Sequence, residues 1–550
     1  MKAWKKRILA LALGFTLLLS GCGRSTSSSD AAGNASDTSL QTTDESTGEK
    51  TVTMAMVSSW IGYNLIATKS QYNTLVSSLL YDRLVDLKLD GTVVPRLAES
   101  WDVAEDKSYI TFHLNPKATF HDGVPLTADD VIYTANLIVN PEFNANTRGY
   151  FAYFEGTDEA GAELSSGSLG IEKVDDHTVT FRFKRPIDPQ TVFFKWADYF
   201  FIYPEHILGE KTIEELNEGT TWKENMIGSG PLVYNDSIDG ERIEFTANKD
   251  YYLGTPDFDR FILRVVDSSQ LLPGLLTGEI DILAGAGIGD LPITDWEDAQ
   301  NEGSLVVYEA KSYNVQGLVF NTESDVFSNP NVRRAFSMAI NRQVIIDNLI
   351  GGHAAVLYTP FTEYHPYYDP DLDYPTYNPE EARRILEKEG FEFSRTINFT
   401  VPTGNQIRQD SAVLIQQDLA AIGVKAELTV YDYATNLQDM KDGNFELGLS
   451  GMTGTVEPSQ VLLQVDSRAS SNLPHLDTTF SDLIQDAIYE LDSDVKREKY
   501  NAIQELFLEE SPIAYLYSTN NMLAYNKRIS NVIPEDFNLS NYSVWEWTVD

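Results

Sequence analysis

A chain of 550 residues with a single cysteine, Cys22, cannot close an internal disulfide, so its fold must be held by buried surface and hydrogen bonding. The position of that cysteine sets a second constraint. Lys2, Lys5, Lys6 and Arg7 precede an apolar run from Ile8 to Leu19. The run is too short to cross a hydrocarbon layer of ~30 Å as a helix, and its basic start and small-residue end have the form of a secretion signal. Residues 1–21 are therefore expected to be removed, and the folded part to lie beyond them.

Leu19-Ser20-Gly21-Cys22 resembles the bacterial lipoprotein pattern, which implies cleavage before Cys22 and lipidation of its thiol. The following stretch, to Lys50, is rich in Ser, Thr, Gly, Asp and Ala and nearly free of large apolar side chains. It cannot bury enough surface to offset the entropy of ordering, and so reads, with Cys22, as a disordered tether over 22–50. A Ser/Gly-type coil of this length has a root-mean-square reach of about 30 Å. No later segment is apolar over a spanning length, so the chain is expected to sit on a membrane without crossing it.

From Thr51 onward there is length for several cores, and 42% hydrophobic and 11% aromatic content suits a globular protein of two or three lobes. The charge narrows the partners. With 82 acidic against 41 basic residues the net charge is −41, which speaks against nucleic acid, since a phosphate backbone is held mainly by excess Lys and Arg. The bland reading of the acidity is solubility.

Local patterns indicate alternating strands and helices. Thr51 to Val57 reads as a strand and Gln71 to Tyr81 as a helix. Ile110, Phe112 and Leu114 share one face of a strand, and Asp122-Gly123 marks a turn. Thr127 with Asp130 forms an acidic variant of the capping box. Asn378-Pro379-Glu380-Glu381 opens a helix with Ala382, Ile385 and Leu386 as its inner stripe and Gly390 as its stop. Ile397 to Val401, the helix Ile407 to Ala421, the stop Gly423 and the strand Val424 to Val430 make a β-α-β unit, while Phe445 to Leu449 reads as a further strand. His113 and His121 lack a third ligand at metal-binding spacing and read as structural. Arg333 and Arg334, on a helix beginning near Pro330, read as partners of carboxylates rather than an anion site.

Several blocks, in order, resemble the extracellular solute-binding proteins of family 5, the oligopeptide, dipeptide and nickel binders of ABC importers. They are Pro95 to Trp101, Thr111 to Leu114, Phe120 to Val131, Gly228 to Pro231, Asn248 to Tyr252, Thr277 to Asp281, Phe320 to Thr322 and Val332 to Arg342. The resemblance implies an α/β, periplasmic-binding-protein-like fold of type II (cluster C), with two large lobes, a hinge and an extra inserted lobe. Lobe I is expected at 51–82, 196–312 and 511–550, lobe II at 83–195 and lobe III at 313–510. It further implies capture of a peptide or another small polar solute between lobes, delivery to permease subunits, a monomer and no cofactor. The location implied is the outer face of a bacterial cytoplasmic membrane. Candidate ligand-binding residues are Ser58, Ser59 and Trp60 after the first strand, Tyr313 and Asn314 at the entry to lobe III, and Met452, Thr453, Gly454, Thr455 and Glu457 in the loop that faces a peptide's N-terminus in relatives.

That loop departs from the family. Peptide binders usually carry an aspartate there, whereas this chain has Gly454 and Thr455, with Glu457 the only carboxylate. Either Glu457 serves from a shifted position or the ligand has no free amino terminus, because a buried ammonium without a counter-charge is costly. A nickel chelate or an oligosaccharide are the alternative solutes, with His475 the histidine placed to approach a chelated metal. A lipoprotein that senses a peptide signal is the alternative role. Catalysis finds no machinery: there is no G-x-S-x-G elbow, H-E-x-x-H helix or phosphate loop. Gly285 to Gly289 has the wrong spacing for a dinucleotide loop, and Pro292 interrupts the helix such a loop would need.

Overall fold

In the computed structural model the described residues are 48–550, except 68–69, 89, 165–168, 404, 453, 463–477 and 534–542. The local signals produce the elements they favour. Thr127 Oγ1 accepts from the Asp129 N–H and the Asp130 carboxylate accepts from the Thr127 N–H, so a full capping box starts the Ala128–Val139 helix. Asn378 caps Pro379–Lys388 by accepting from the Glu381 N–H, and Gly390, at φ +74°, ends it in the left-handed region that glycine enters without penalty. Ala382 and Leu386 are buried and Ile385 half-buried, as a helical stripe requires.

Among the described residues three sheets of four or more strands organise the fold, beside two two-stranded ones. The first has seven strands in the order Leu305–Ala310, Asn521–Asn526, Ile282–Leu283, Thr51–Met56, Arg260–Val265, Arg242–Ala247 and Leu232–Ile238. Thr51–Met56 runs parallel to both its neighbours, so three strands end at one edge. The second has six strands in the order Ala354–Val356, Ile513–Thr519, Val315–Phe320, Leu447–Met452, Thr396–Pro402 and Lys425–Tyr431. Its last three are mutually parallel and include the expected β-α-β unit, with Gln406–Ala421 as the crossover helix. The third is an antiparallel sheet of Ala98–Val103, Tyr109–Leu114, Thr178–Arg182 and Ile171–Asp175.

The helix Pro189–Tyr199 covers this four-stranded sheet: Trp196 packs on Phe112 and Phe181, with centroids 6.0 and 4.6 Å away. One apolar cluster runs through the seven- and four-stranded sheets, and a second, with Leu318, Phe336, Phe399 and Leu447, fills the six-stranded sheet. The segment 511–550 divides between sheets, Ile513–Thr519 joining the six-stranded and Asn521–Asn526 the seven-stranded one. Among the described residues no helix is long and apolar enough to cross a membrane.

Candidate functional site

The chain passes between the seven- and six-stranded sheets twice by short links. Residues 311–314 join Leu305–Ala310 to Val315–Phe320, and Asn520 joins Ile513–Thr519 to Asn521–Asn526. The two links are bonded together. Ser518 Oγ donates to the Ser312 carbonyl at 2.7 Å, which also accepts from the Tyr364 hydroxyl. Asn520 Nδ2 donates to Glu309 Oε1 at 2.6 Å, and His353 Nδ1 lies 3.0 Å from the other oxygen of the same carboxylate.

Tyr313 and Asn314, half-buried in the first link, meet the loop after Leu447–Met452. The Gly454 N–H donates to Asn314 Oδ1 at 3.1 Å, and Gly454 lies so close to the Tyr313 carbonyl that a Cβ would overlap it. Thr455 Oγ1 accepts from the Glu457 N–H at 3.3 Å, shaping the turn. Glu457 is 5% exposed. Its Oε2 accepts from the Ser459 N–H at 3.0 Å and from the Ser459 hydroxyl, while Oε1 has no hydrogen-bond partner. Burial raises its carboxyl above the ordinary range, opposed chiefly by the Lys195 charge. Val456 and the Phe194 ring, the latter on the Pro189–Tyr199 helix, both border Gly91, where a Cβ would lie 2.6 Å from Val456 and 3.2 Å from Phe194.

The Tyr313 ring is also walled by aromatic residues that sequence reasoning missed. It packs on Tyr364 and His365, with centroids 5.4 and 5.9 Å away. His365 stacks on Phe361 at 4.4 Å, and Tyr367 lies 4.6 Å from Tyr500. Burial pulls His365 down to about 3, so its imidazole is neutral. Its Nδ1 accepts from the Tyr367 N–H, whereas Nε2 and the Tyr500 hydroxyl are buried without hydrogen-bond partners. Burial, then the nearby Tyr364 and Asp90, push the Tyr313 hydroxyl up to about 12. The available signal was compositional: Tyr358, Phe361, Tyr364, His365, Tyr367 and Tyr368 crowd a proline-rich stretch without helical or strand periodicity.

On the other side, Ser58, Ser59 and Trp60 follow Met56 at the edge where the parallel strands end, which is where open α/β sheets form crevices. Ser58 is exposed, Ser59 half-buried, and Trp60 buried against Tyr63. The Val57 N–H donates to the Ile288 carbonyl, so this segment adjoins the Gly285–Gly289 turn. Gly285, Ala286 and Gly287 all have positive φ, and a Cβ at Gly289 would lie 2.7 Å from the Ala55 carbonyl. The turn thus folds onto the end of Thr51–Met56. Asp290 secures it, accepting from the Gly287 N–H and, at 2.6 Å, from the Met522 N–H beyond the second link.

The structure therefore brings Tyr313, Asn314, Gly454, Thr455 and Glu457 together, and sets Ser58, Ser59 and Trp60 at the edge of the other sheet. Met452 is no loop residue: the strand extends three residues past the expected Leu449, and Met452 is buried with its methyl toward Gly317. Thr453, Cys22 and His475 lie outside the described residues. His113 pairs with Asp102 at 2.8 Å, and His121 binds the Gly228 N–H and Gly230 carbonyl, each at 3.1 Å. Arg333 pairs with Glu510 at 3.1 Å and Arg334 with Asp373 at 3.6 Å. Among the described residues no group of three or more His, Cys, Asp or Glu is placed to hold a metal ion. Aromatic faces with a few unpartnered polar atoms suit noncovalent retention of a solute.

Residues 92–472 match the family model of bacterial extracellular solute-binding proteins, family 5 middle. The oligopeptide-binding protein AppA of Bacillus subtilis is 25% identical over 544 residues, covering 94% of either chain. The solved structure of that protein with a nonapeptide superposes with a TM-score of 0.75 at 22% identity, covering 91% of this chain and 99% of its own. NikZ from Campylobacter jejuni, solved with Ni(L-His), gives a TM-score of 0.76 at 21% identity, covering 90% and 99%.

Proposed function

The chain belongs to family 5 of the bacterial extracellular solute-binding proteins, and from that premise we propose that it is the substrate-binding lipoprotein of an ABC importer, capturing a peptide or peptide-like solute between lobes for a membrane permease. The observation that carries this reading is the pair of short links between two sheets, set beside Tyr313, Asn314, Gly454 and the aromatic wall. Two links of this kind let one lobe rotate against the other as a hinge, so that a solute lying on both surfaces holds them closed. In this reading lobe I is 51–82, 196–312 and the C-terminal strands, and lobe II is 83–195. Lobe III is 313–510 together with Ile513–Thr519, which pairs inside its sheet. Ser58, Ser59 and Trp60 supply the lobe I face of the cleft, and Gly454 to Glu457 the lobe III face.

Lipid on Cys22 and the tether to Lys50 keep the cleft near its permease, raising its effective concentration there. Replacing Cys22 by Ser is expected to release the protein into the medium or periplasm; membrane retention after signal cleavage would count against the anchor. Native mass spectrometry of the purified chain tests the ligand: a co-purifying peptide is expected, and a bound solute of another class overturns the peptide reading. The second reading, a different small polar solute such as a nickel chelate or oligosaccharide, is favoured by one observation. Glu457 already accepts from Ser459, and the charges of Lys195 and Lys496 already favour its ionised form without a ligand's amine.

A further inference from the structure

An internal segment that carries its own sheet can move against the rest of a chain wherever only side chains hold it. Among the described residues 315–519 supply every strand of the six-stranded sheet and none of any other, so backbone joins them to the remainder through the two links alone. Side-chain contacts made elsewhere across that boundary are ones a hinge motion can break. One group of them lies on the helices Thr478–Ile488 and Ser493–Glu510.

The Arg185 guanidinium carbon lies 3.2 Å from the centroid of the Tyr489 ring, and Tyr153 meets the same ring edge to face at 5.8 Å and 71°. Arg185 follows the strand Thr178–Arg182 of the four-stranded sheet, whereas Tyr489 directly follows Thr478–Ile488. A guanidinium over an aromatic face is attracted by the ring's quadrupole. A second contact joins the same two short segments, 185–188 and 489–496: Lys496 Nζ is 3.9 Å from Asp188, the N-cap of Pro189–Tyr199.

The Ser493–Glu510 helix carries this grip to the aromatic wall. Lys496, Tyr500, Ile503, Gln504 and Phe507 are buried, at the spacing of one helix face. One turn past Lys496 the Tyr500 ring lies 4.6 Å from Tyr367, whose carbonyl accepts from Gln504 Nε2 at 2.8 Å. Arg497 donates to the Pro366 carbonyl at 2.6 Å. The far end of the helix is fixed to the six-stranded sheet, where Arg333 Nε donates to the Glu510 carbonyl at 2.8 Å and Phe507 packs on Tyr515. The wall is therefore seated on the helix whose first turn meets the side of the four-stranded sheet.

We infer that Arg185 and Tyr489 are positioning residues of capture: they latch the wall-bearing helix to the four-stranded sheet when the cleft is shut and part when it opens, setting the lifetime of a bound solute they do not touch. The inference rests on the proposed capture of a solute between lobes, and names what holds them closed.

The test uses the full chain with Cys22→Ser, which removes the only native thiol, and adds Arg185→Cys and Tyr489→Cys so that a short bifunctional thiol reagent can bridge the latch. The probe is a pool of random tri- to pentapeptides, followed after dilution by native mass spectrometry. Protein loaded and then bridged is expected to hold the peptides about tenfold longer than unbridged protein, and protein bridged while empty to fail to load. Bridged protein that loads and releases like unbridged protein overturns the inference, because the contact then persists in the open form. Without any bridge, Tyr489→Ala should shorten retention about fivefold with association changed less than twofold, whereas Tyr489→Phe, which keeps the ring face, should match the wild type. Retention unmoved by Tyr489→Ala likewise overturns it. If the unbridged protein retains no peptide at all, the peptide reading fails while the latch is decided by small-angle scattering: the bridged empty form should have the smaller radius of gyration, and equal radii overturn the latch.

Discussion

Gly454 is small for a reason outside its own loop: the Tyr313 carbonyl occupies the space a Cβ would need, and Asn314 takes its N–H. Gly454→Ala must therefore push the loop off the first link, a local overpacking that costs about 2 kcal/mol. A fall of that size in urea stability is expected, with weaker retention of the co-purified solute. Unchanged stability and retention would show the approach is not needed. Neighbouring Glu457 shows where residue-level legibility stops. Sequence identifies it as the loop's sole carboxylate and Ser459 is close in the chain, but its burial and the lysine charges that act on it come from helices more than 30 and more than 250 residues away.

At the scale of elements, those built from local signals were legible and those built by partners were not. The Pro379–Lys388 helix carries its cap, first-turn proline, acidic first turn and stop within thirteen residues, Asn378 to Gly390. Asn378→Ala should cost about 1 kcal/mol. Hydrogen exchange should show this as faster exchange of the first-turn amides of the helix, the Glu381 N–H above all. Equal protection in both proteins would mean that tertiary packing alone holds that turn. The Leu447–Met452 strand is the opposite case. Gly448, Ser450 and Gly451 hide any alternation, and the strand reaches Met452 because Val315–Phe320 pairs with it over its whole length. The aromatic stretch 358–368 went unrecognised for the same reason: it has no period of its own, and its rings gain meaning from Tyr313 and Tyr500.

For the whole molecule, the point of interest is where the sheets are joined. Asp290 ties the Gly285–Gly289 turn to Met522, two residues beyond Asn520, and so couples that edge of the seven-stranded sheet to the second link. Burial raises its carboxyl to about 6. A folded-state value above the unfolded one means the folded protein binds the extra proton, so this group's contribution is fully present below about pH 4 and is lost as pH rises through about 6. Relative to Asp290→Asn, the wild type should therefore lose stability between pH 4.5 and 7.5 in urea titrations. A stability difference independent of pH across that window would show that Asp290 titrates normally.

What the sequence by itself determined were matters settled within a few residues or by many short blocks in order. These were the helix caps and stops, the β-α-β unit and the family. Tertiary structure alone decided which strands of 511–550 serve which sheet, that Met452 faces a core, that residues 358–368 wall Tyr313, and that Glu457 is buried under the influence of the Lys195 and Lys496 charges. The physical reason is range. Caps, turns and periodicity act over one or two turns of chain, whereas a buried charge takes its partner from whatever surface the fold packs against it, at any separation in sequence.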